Sequence, residues 1–134
     1  MTELSKLLFC EDLEKIASEL RICKDKEYLH QFAIAYDWAN GFGIPKSILA
    51  NSACSLGTAL LLFYQGDGYR YLTERPAESD LPDWLSFISA LYFDIKVGKY
   101  TDKSIPFDVP LTNIQIFKLK KNLAKDESVF ITNI

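Results

Sequence analysis

Residues 28–72, YLHQFAIAYDWANGFGIPKSILANSACSLGTALLLFYQGDGYRYL, decide the fold, because apolar periodicity, glycine punctuation and aromatic residues are densest there. The first element starts at Asp25, whose carboxylate suits the free N–H groups of a helix's first turn. Leu29, Phe32, Ala33 and Tyr36 then fall at helical spacing, and Asn40 with Gly41 end the element. Pro45 fits the first turn of a short second helix with Ile44, Ile48 and Leu49 on its apolar side, and Asn51 stops it. Ser52 or Ser55 caps a third helix carrying Leu56, Ala59, Leu60 and Phe63 as its stripe. Leu61, Leu62 and Tyr64 widen that stripe to nearly the whole circumference, which predicts burial on several sides. The run is too short to span a bilayer. Gly66, Asp67 and Gly68 close it with a turn, and Tyr69, Tyr71 and Leu72 carry aromatic surface beyond.

The patterns AYDWANGFGIP and LGTALLLFYQGDGYRYL, with Cys54 between them, resemble a bacterial family known as domain of unknown function 4274. The residues that carry the resemblance are Tyr36, Asp37, Trp38, Gly41, Phe42, Pro45, Cys54, the run from Gly57 to Leu60, Phe63, Asp67, Gly68 and Tyr69. The resemblance implies a small bacterial domain, often without attached modules. It implies no activity, because the family's function is itself unassigned.

Outward from this stretch, Leu4, Leu7 and Leu8 predict an initial turn or short helix, and Leu13, Ile16, Ala17 and Leu20 a longer one with Glu11, Glu14, Lys15 and Glu19 on its wet side. Residues 73–80, TERPAESD, read as an exposed acidic loop. Pro82 opens the strongest helix, where Trp84, Phe87, Ile88, Leu91 and Ile95 form the stripe, Leu85, Tyr92 and Phe93 broaden it, and Gly98 ends it. It should pack beside residues 55–64. Pro106 and Pro110 keep residues 99–110 extended. Thr112 caps a last helix with Ile116, Leu119 and Leu123 inward, and residues 129–131 read as a strand or a docked tail. The expected fold is therefore all-α: one domain over residues 1–134, with about five to seven helices and room for a short extended C-terminal segment.

Composition narrows the function. The chain has 134 residues, 49% of them hydrophobic and 25% charged, which is enough for a real core and unlike a disordered chain. Acidic residues stand where a secretory signal would be basic, so the expected location is cytoplasmic. Three widely spaced cysteines, Cys10, Cys23 and Cys54, argue against a disulfide framework and a zinc site, and are expected reduced and mostly buried. Charge is bipolar, with a net −6 over residues 1–95 and +3 over residues 96–134.

Catalytic chemistry finds little support. His30 is the sole histidine, expected at the surface or half buried, and no nucleophile elbow accompanies it. Cys54 has small apolar flanks, which suit a buried thiol better than a nucleophile. Asp37 and Asp67 flank the glycine turns and would serve a hydrolase as an acid and base pair; their simpler role is bonding the turn backbone. The glycine turns lack the strand and lysine of a phosphate cradle. Lys118, Lys120, Lys121 and Lys125 form the only basic cluster, better read as a solvated helix face than as a nucleic-acid site.

The leading expectation is a noncatalytic protein-binding protein, an immunity or antitoxin-type inhibitor that occludes the active site of a basic toxin domain, with no cofactor, metal, nucleic acid or membrane partner. Its binding residues would be the acidic Glu74, Glu78, Asp80 and Asp83 together with the aromatic Trp38, Phe42, Tyr69 and Tyr71. Core packing of those aromatic side chains is the plainer reading. A regulatory or structural bacterial interaction module stands second, and a hydrolase built on Asp37 and Asp67 third.

Overall fold

In the computed structural model, which describes residues 3–134 and side chains from Lys6 onward, the chain forms eight α-helices and two 3-10 segments, with no strand among the described residues. The helices are α1 (Glu3–Leu8), α2 (Leu13–Ile22), α3 (Lys26–Ala35), α4 (Gly43–Ala50), α5 (Leu56–Gln65), α6 (Gly68–Glu74), α7 (Pro82–Lys96) and α8 (Asn113–Lys120), with 3-10 segments at Trp38–Asn40 and Lys125–Ile131. The all-α class holds, and the helix count exceeds seven.

The centre is α5. Leu56, Ala59, Leu60, Leu62 and Phe63 are all buried, with Leu61 and Tyr64 half buried, so the helix is enclosed as its nearly continuous apolar circumference demands. It packs against α3, α6 and α7. Its start is fixed by Ser55, whose Oγ accepts from the Thr58 N–H at 3.1 Å, and by the Leu56 N–H, which donates to the Asp102 carbonyl at 2.8 Å. There the extended segment crosses so closely that a Cβ on Gly57 would lie 2.6 Å from the Ile105 carbonyl oxygen. Ile105, Phe107 and Val109 are buried while Pro106, Asp108 and Pro110 are exposed, a period of two that matches an extended chain on a core.

Asp12 and Asp25 cap α2 and α3 through their side chains. Asn51 ends α4 and also donates to the carbonyls of Leu20 and Cys23, both at 2.7 Å, which ties the end of α2 to α4. Thr112 and Gln115 form a reciprocal capping box on α8. Of the stripe on α2, Ile16 and Leu20 are buried, Ala17 is half buried and Leu13 is exposed. Leu7 of α1 is buried and Leu8 half buried; the side chain of Leu4 lies outside the described residues.

Several boundaries differ from the sequence expectation. Helix α3 stops at Ala35, because Asp37 caps the separate 3-10 turn Trp38–Asn40 by accepting from the Ala39 N–H at 3.0 Å. Residues 68–74 form α6, so Thr73 and Glu74 belong to a helix and the acidic loop begins only at Arg75. Residues 129–131 are a docked tail and not a strand: they complete the 3-10 segment Lys125–Ile131, held by fully buried Phe130 against Phe63 and Tyr92. Beyond it, Phe107 and Ile134 exchange both backbone hydrogen bonds. On α8 only Leu119 is buried, Ile116 and the following Leu123 are half buried, and Ile114 and Phe117 are exposed. Phe93, expected to broaden the arc of α7, is 59% exposed.

Candidate functional site

The residues proposed for catalysis are occupied structurally. His30 is buried, a correction to its expected half-exposed place: its Nδ1 lies 2.9 Å from the Thr58 Oγ1, which in turn bonds Ser55. Burial lowers the His30 pKa, with the Glu27 carboxylate opposing in part. The Cys54 thiol is pushed up to about 12 by burial, against a smaller pull from Lys99, so it carries no thiolate near neutrality. Iodoacetamide should therefore label the half-buried Cys10 and Cys23 well before Cys54, with Cys54 reacting at their rate only in denaturant; mass spectrometry of the folded protein checks this. Rapid labelling of Cys54 in the native state would restore it as a nucleophile. Asp37 spends its carboxylate on the 3-10 turn, Asp67 sits in the left-handed region at φ +67° before α6, and no hydrogen bond joins the two.

The four aromatic residues separate into two settings, and each is half buried against the core. Trp38 and Phe42 pack edge to face with each other and both contact Phe87, while the Trp38 Nε1–H donates to Gln65 at 3.1 Å. Tyr71 packs on Tyr92, and Tyr69 lines a cleft on another side of α6. No ring contact joins the pairs among the described residues, so core packing accounts for most of their area.

Three of the four acidic residues share one place. Glu74 ends α6, Glu78 and Asp80 lie in the loop, and Asp83 sits in the first turn of α7; all four are exposed. Three of them, Glu74, Glu78 and Asp80, line an open recess of about 470 Å³ together with Pro76 and Leu81, the latter 53% exposed. The rim is held from below: Arg70 pairs with Glu74 at 2.7 Å and lies over the Trp84 ring at 4.8 Å, and the Trp84 Nε1–H donates to the Gly66 carbonyl at 2.7 Å. A buried ring thus fixes the base of an acidic edge.

A second constellation was not legible in the sequence. Arg75, the C-cap of α6 at φ +45°, donates through Nε to the Leu72 carbonyl at 3.0 Å, through Nη1 to the Tyr92 hydroxyl at 3.1 Å and through Nη2 to Glu127 at 2.6 Å. Glu127 is buried and accepts also from the Tyr92 hydroxyl and from the Ala124 N–H at 2.9 Å. Burial alone would raise the Glu127 pKa; the hydrogen bonds from Tyr92, Ala124 and Arg75 outweigh it and hold the carboxyl below its ordinary value. This network forms one wall of a cleft of about 500 Å³ between α6 and α8.

The fold and these surfaces define an all-helical domain with an acidic rim and an adjoining polar cleft on either flank of α6. A family model described as domain of unknown function (DUF4274) matches residues 24–95, more than half of the chain, and the chain belongs to that family. The matched span runs from the cap of α3 through α7 and so includes the whole acidic rim, Arg75 and Tyr92. No curated protein and no solved structure matches the chain. No described helix is long and apolar enough to cross a membrane.

Proposed function

We propose that this chain is a noncatalytic cytoplasmic protein-binding protein, an inhibitor of the immunity or antitoxin type whose acidic rim covers the active site of a basic toxin domain. The observation that supports this reading best is the convergence of Glu74, Glu78 and Asp80 on one exposed recess with Leu81, with Asp83 following in the first turn of α7. A nuclease-like target presents cations to phosphate, and carboxylates on a fixed frame offer the same charge in its place. Complementary charge also raises the association rate. Leu81 supplies the apolar contact that a purely charged edge lacks.

The test starts with tagged co-purification from the native host and continues with association kinetics of the partner so obtained. Reversing Glu74, Glu78, Asp80 and Asp83 to Lys should slow association by about tenfold or more at low salt, and the gap from wild type should close as salt screens both. Stability should barely change, because an exposed pair such as Arg70 with Glu74 contributes only about 0.2–1 kcal/mol. Equal, salt-independent rates for the two proteins would sink the acidic-rim reading and turn attention to Trp38, Phe42, Tyr69 and Tyr71.

A further inference from the structure

We propose that the cleft between α6, α8 and the C-terminal 3-10 segment is a binding site for a small organic anion, a carboxylate or phosphate group carried on an apolar body. It lies on the other flank of α6 from the acidic rim and goes beyond the protein-binding reading. Its volume of about 500 Å³ falls in the range of small-molecule sites, and its lining has the expected division of labour. Tyr69, Leu72 and Leu119 offer apolar surface, while Thr73, Asn122, Arg75 and Lys118 bring polar groups to the same space.

Unspent donors decide the sign of the ligand. Among the described residues Glu127 is the only carboxylate lining the cleft, and its two oxygens already accept from Arg75, Tyr92 and Ala124. Arg75 uses three of its five N–H donors on Leu72, Tyr92 and Glu127 and keeps two. Lys118 makes no ion pair among the described residues, and Asn122 adds an amide. Two cations with free donors face one carboxylate that already accepts three hydrogen bonds, so donors outnumber acceptors in the cleft, and a carboxylate or phosphate supplies acceptors only.

The cationic wall is also fixed in advance. Arg75 stands at φ +45°, a left-handed conformation unusual for a long side chain, and the Tyr92 ring lies 5.1 Å under its guanidinium. Residues kept in such conformations concentrate at ligand clamps, where the surrounding contacts over-determine them. Because three hydrogen bonds already order the Arg75 side chain, a ligand does not bear that entropy cost.

Titration of the isotope-labelled full chain with benzoate, phenyl phosphate and the neutral benzyl alcohol, followed by amide NMR at low salt, tests the assignment. Expected is saturable binding of at least one anion with a Kd of about 1 mM or tighter, shifts centred on Thr73, Arg75, Lys118 and Asn122, and no comparable response to benzyl alcohol. The tighter of the two anions names the head group. Lys118→Ala should weaken binding about tenfold while Lys120→Ala, with the same change in net charge on the same exposed helix, leaves it unchanged. The absence of saturable binding for both anions, an equal response to benzyl alcohol, or equal losses in the two lysine variants would each overturn the proposal.

Discussion

Trp84→Ala is expected to lower the unfolding free energy by about 3–5 kcal/mol, and Leu60→Ala by about 2–5 kcal/mol. Trp84 is 7% exposed and Leu60 fully buried, and both belong to the core where α5 meets α7. Truncating Trp84 removes more than ring area. The Gly66 carbonyl loses its indole N–H donor, and the Arg70 guanidinium loses the ring it rests on, so the base of the acidic rim loosens as well. Trp84→Phe separates the parts: it keeps most of the apolar contact, gives up the hydrogen bond, and should cost roughly 1–3 kcal/mol. Urea unfolding provides the measurement, with the midpoint falling and the slope unchanged. A loss below about 0.5 kcal/mol at both Trp84 and Leu60 would mean that neither side chain is in a core.

What the sequence revealed about this core followed from repetition. The stripe of α5 and that of α7 each repeat at helical spacing over several turns, and Ser55, Thr112 and Pro82 mark starts by local chemistry, so these elements needed no knowledge of their neighbours. Where the helix is only about two turns long the sequence carries no comparable signal. Helix α6 buries just Gly68 and Leu72, and its start is a left-handed Asp67 with no side-chain cap bond, so nothing local distinguishes it from surface. Its packing is decided elsewhere: a Cβ at position 68 would meet the Phe63 ring at 2.3 Å, a constraint set by tertiary contact. His30 was misplaced for a similar reason, since its partner Thr58 belongs to a different helix.

The two candidate surfaces differ in the same way. Glu74, Glu78, Asp80 and Asp83 lie within ten consecutive positions, so their charge can be grouped from the sequence without knowing the fold. Arg75, Tyr92 and Glu127 are 17 and 52 positions apart and meet only because the 3-10 segment Lys125–Ile131 folds back onto α7. Glu127 stands beside Asp126 and close to Lys125, so composition alone does not set it apart. A usable signal did exist, since Phe130 follows Glu127 by one 3-10 turn and marks that side of the tail as inward.

That buried carboxylate should govern the acid stability of the fold. Glu127 has a folded pKa below its ordinary value of 4.5, so the native state binds fewer protons than the unfolded chain around that pH. Its contribution is full above about pH 4.5 and disappears as the pH falls through the folded value. Glu127→Gln removes the charge while keeping the shape, leaving Arg75 without its anion. The expected loss near neutrality is about 2–4 kcal/mol, under the figure for a fully buried pair because the Arg75 side chain is 39% exposed. His30 acts in a separate window: with a pKa lowered from 6.5, its neutral form favours the fold above that pH, and stability declines as the pH drops below it. Urea unfolding across the acid range should therefore show wild type losing stability in two stages, from about pH 6.5 and again from about 4.5. The Glu127→Gln variant should keep the first stage, show a shallower second one, to which the Asp102 carboxyl held down by Ser104 and Lys26 still contributes, and approach wild type at the acid end. A constant gap between the two proteins at every pH would mean that the substitution disturbs packing alone, and that Glu127 is not held ionised by Arg75 and Tyr92.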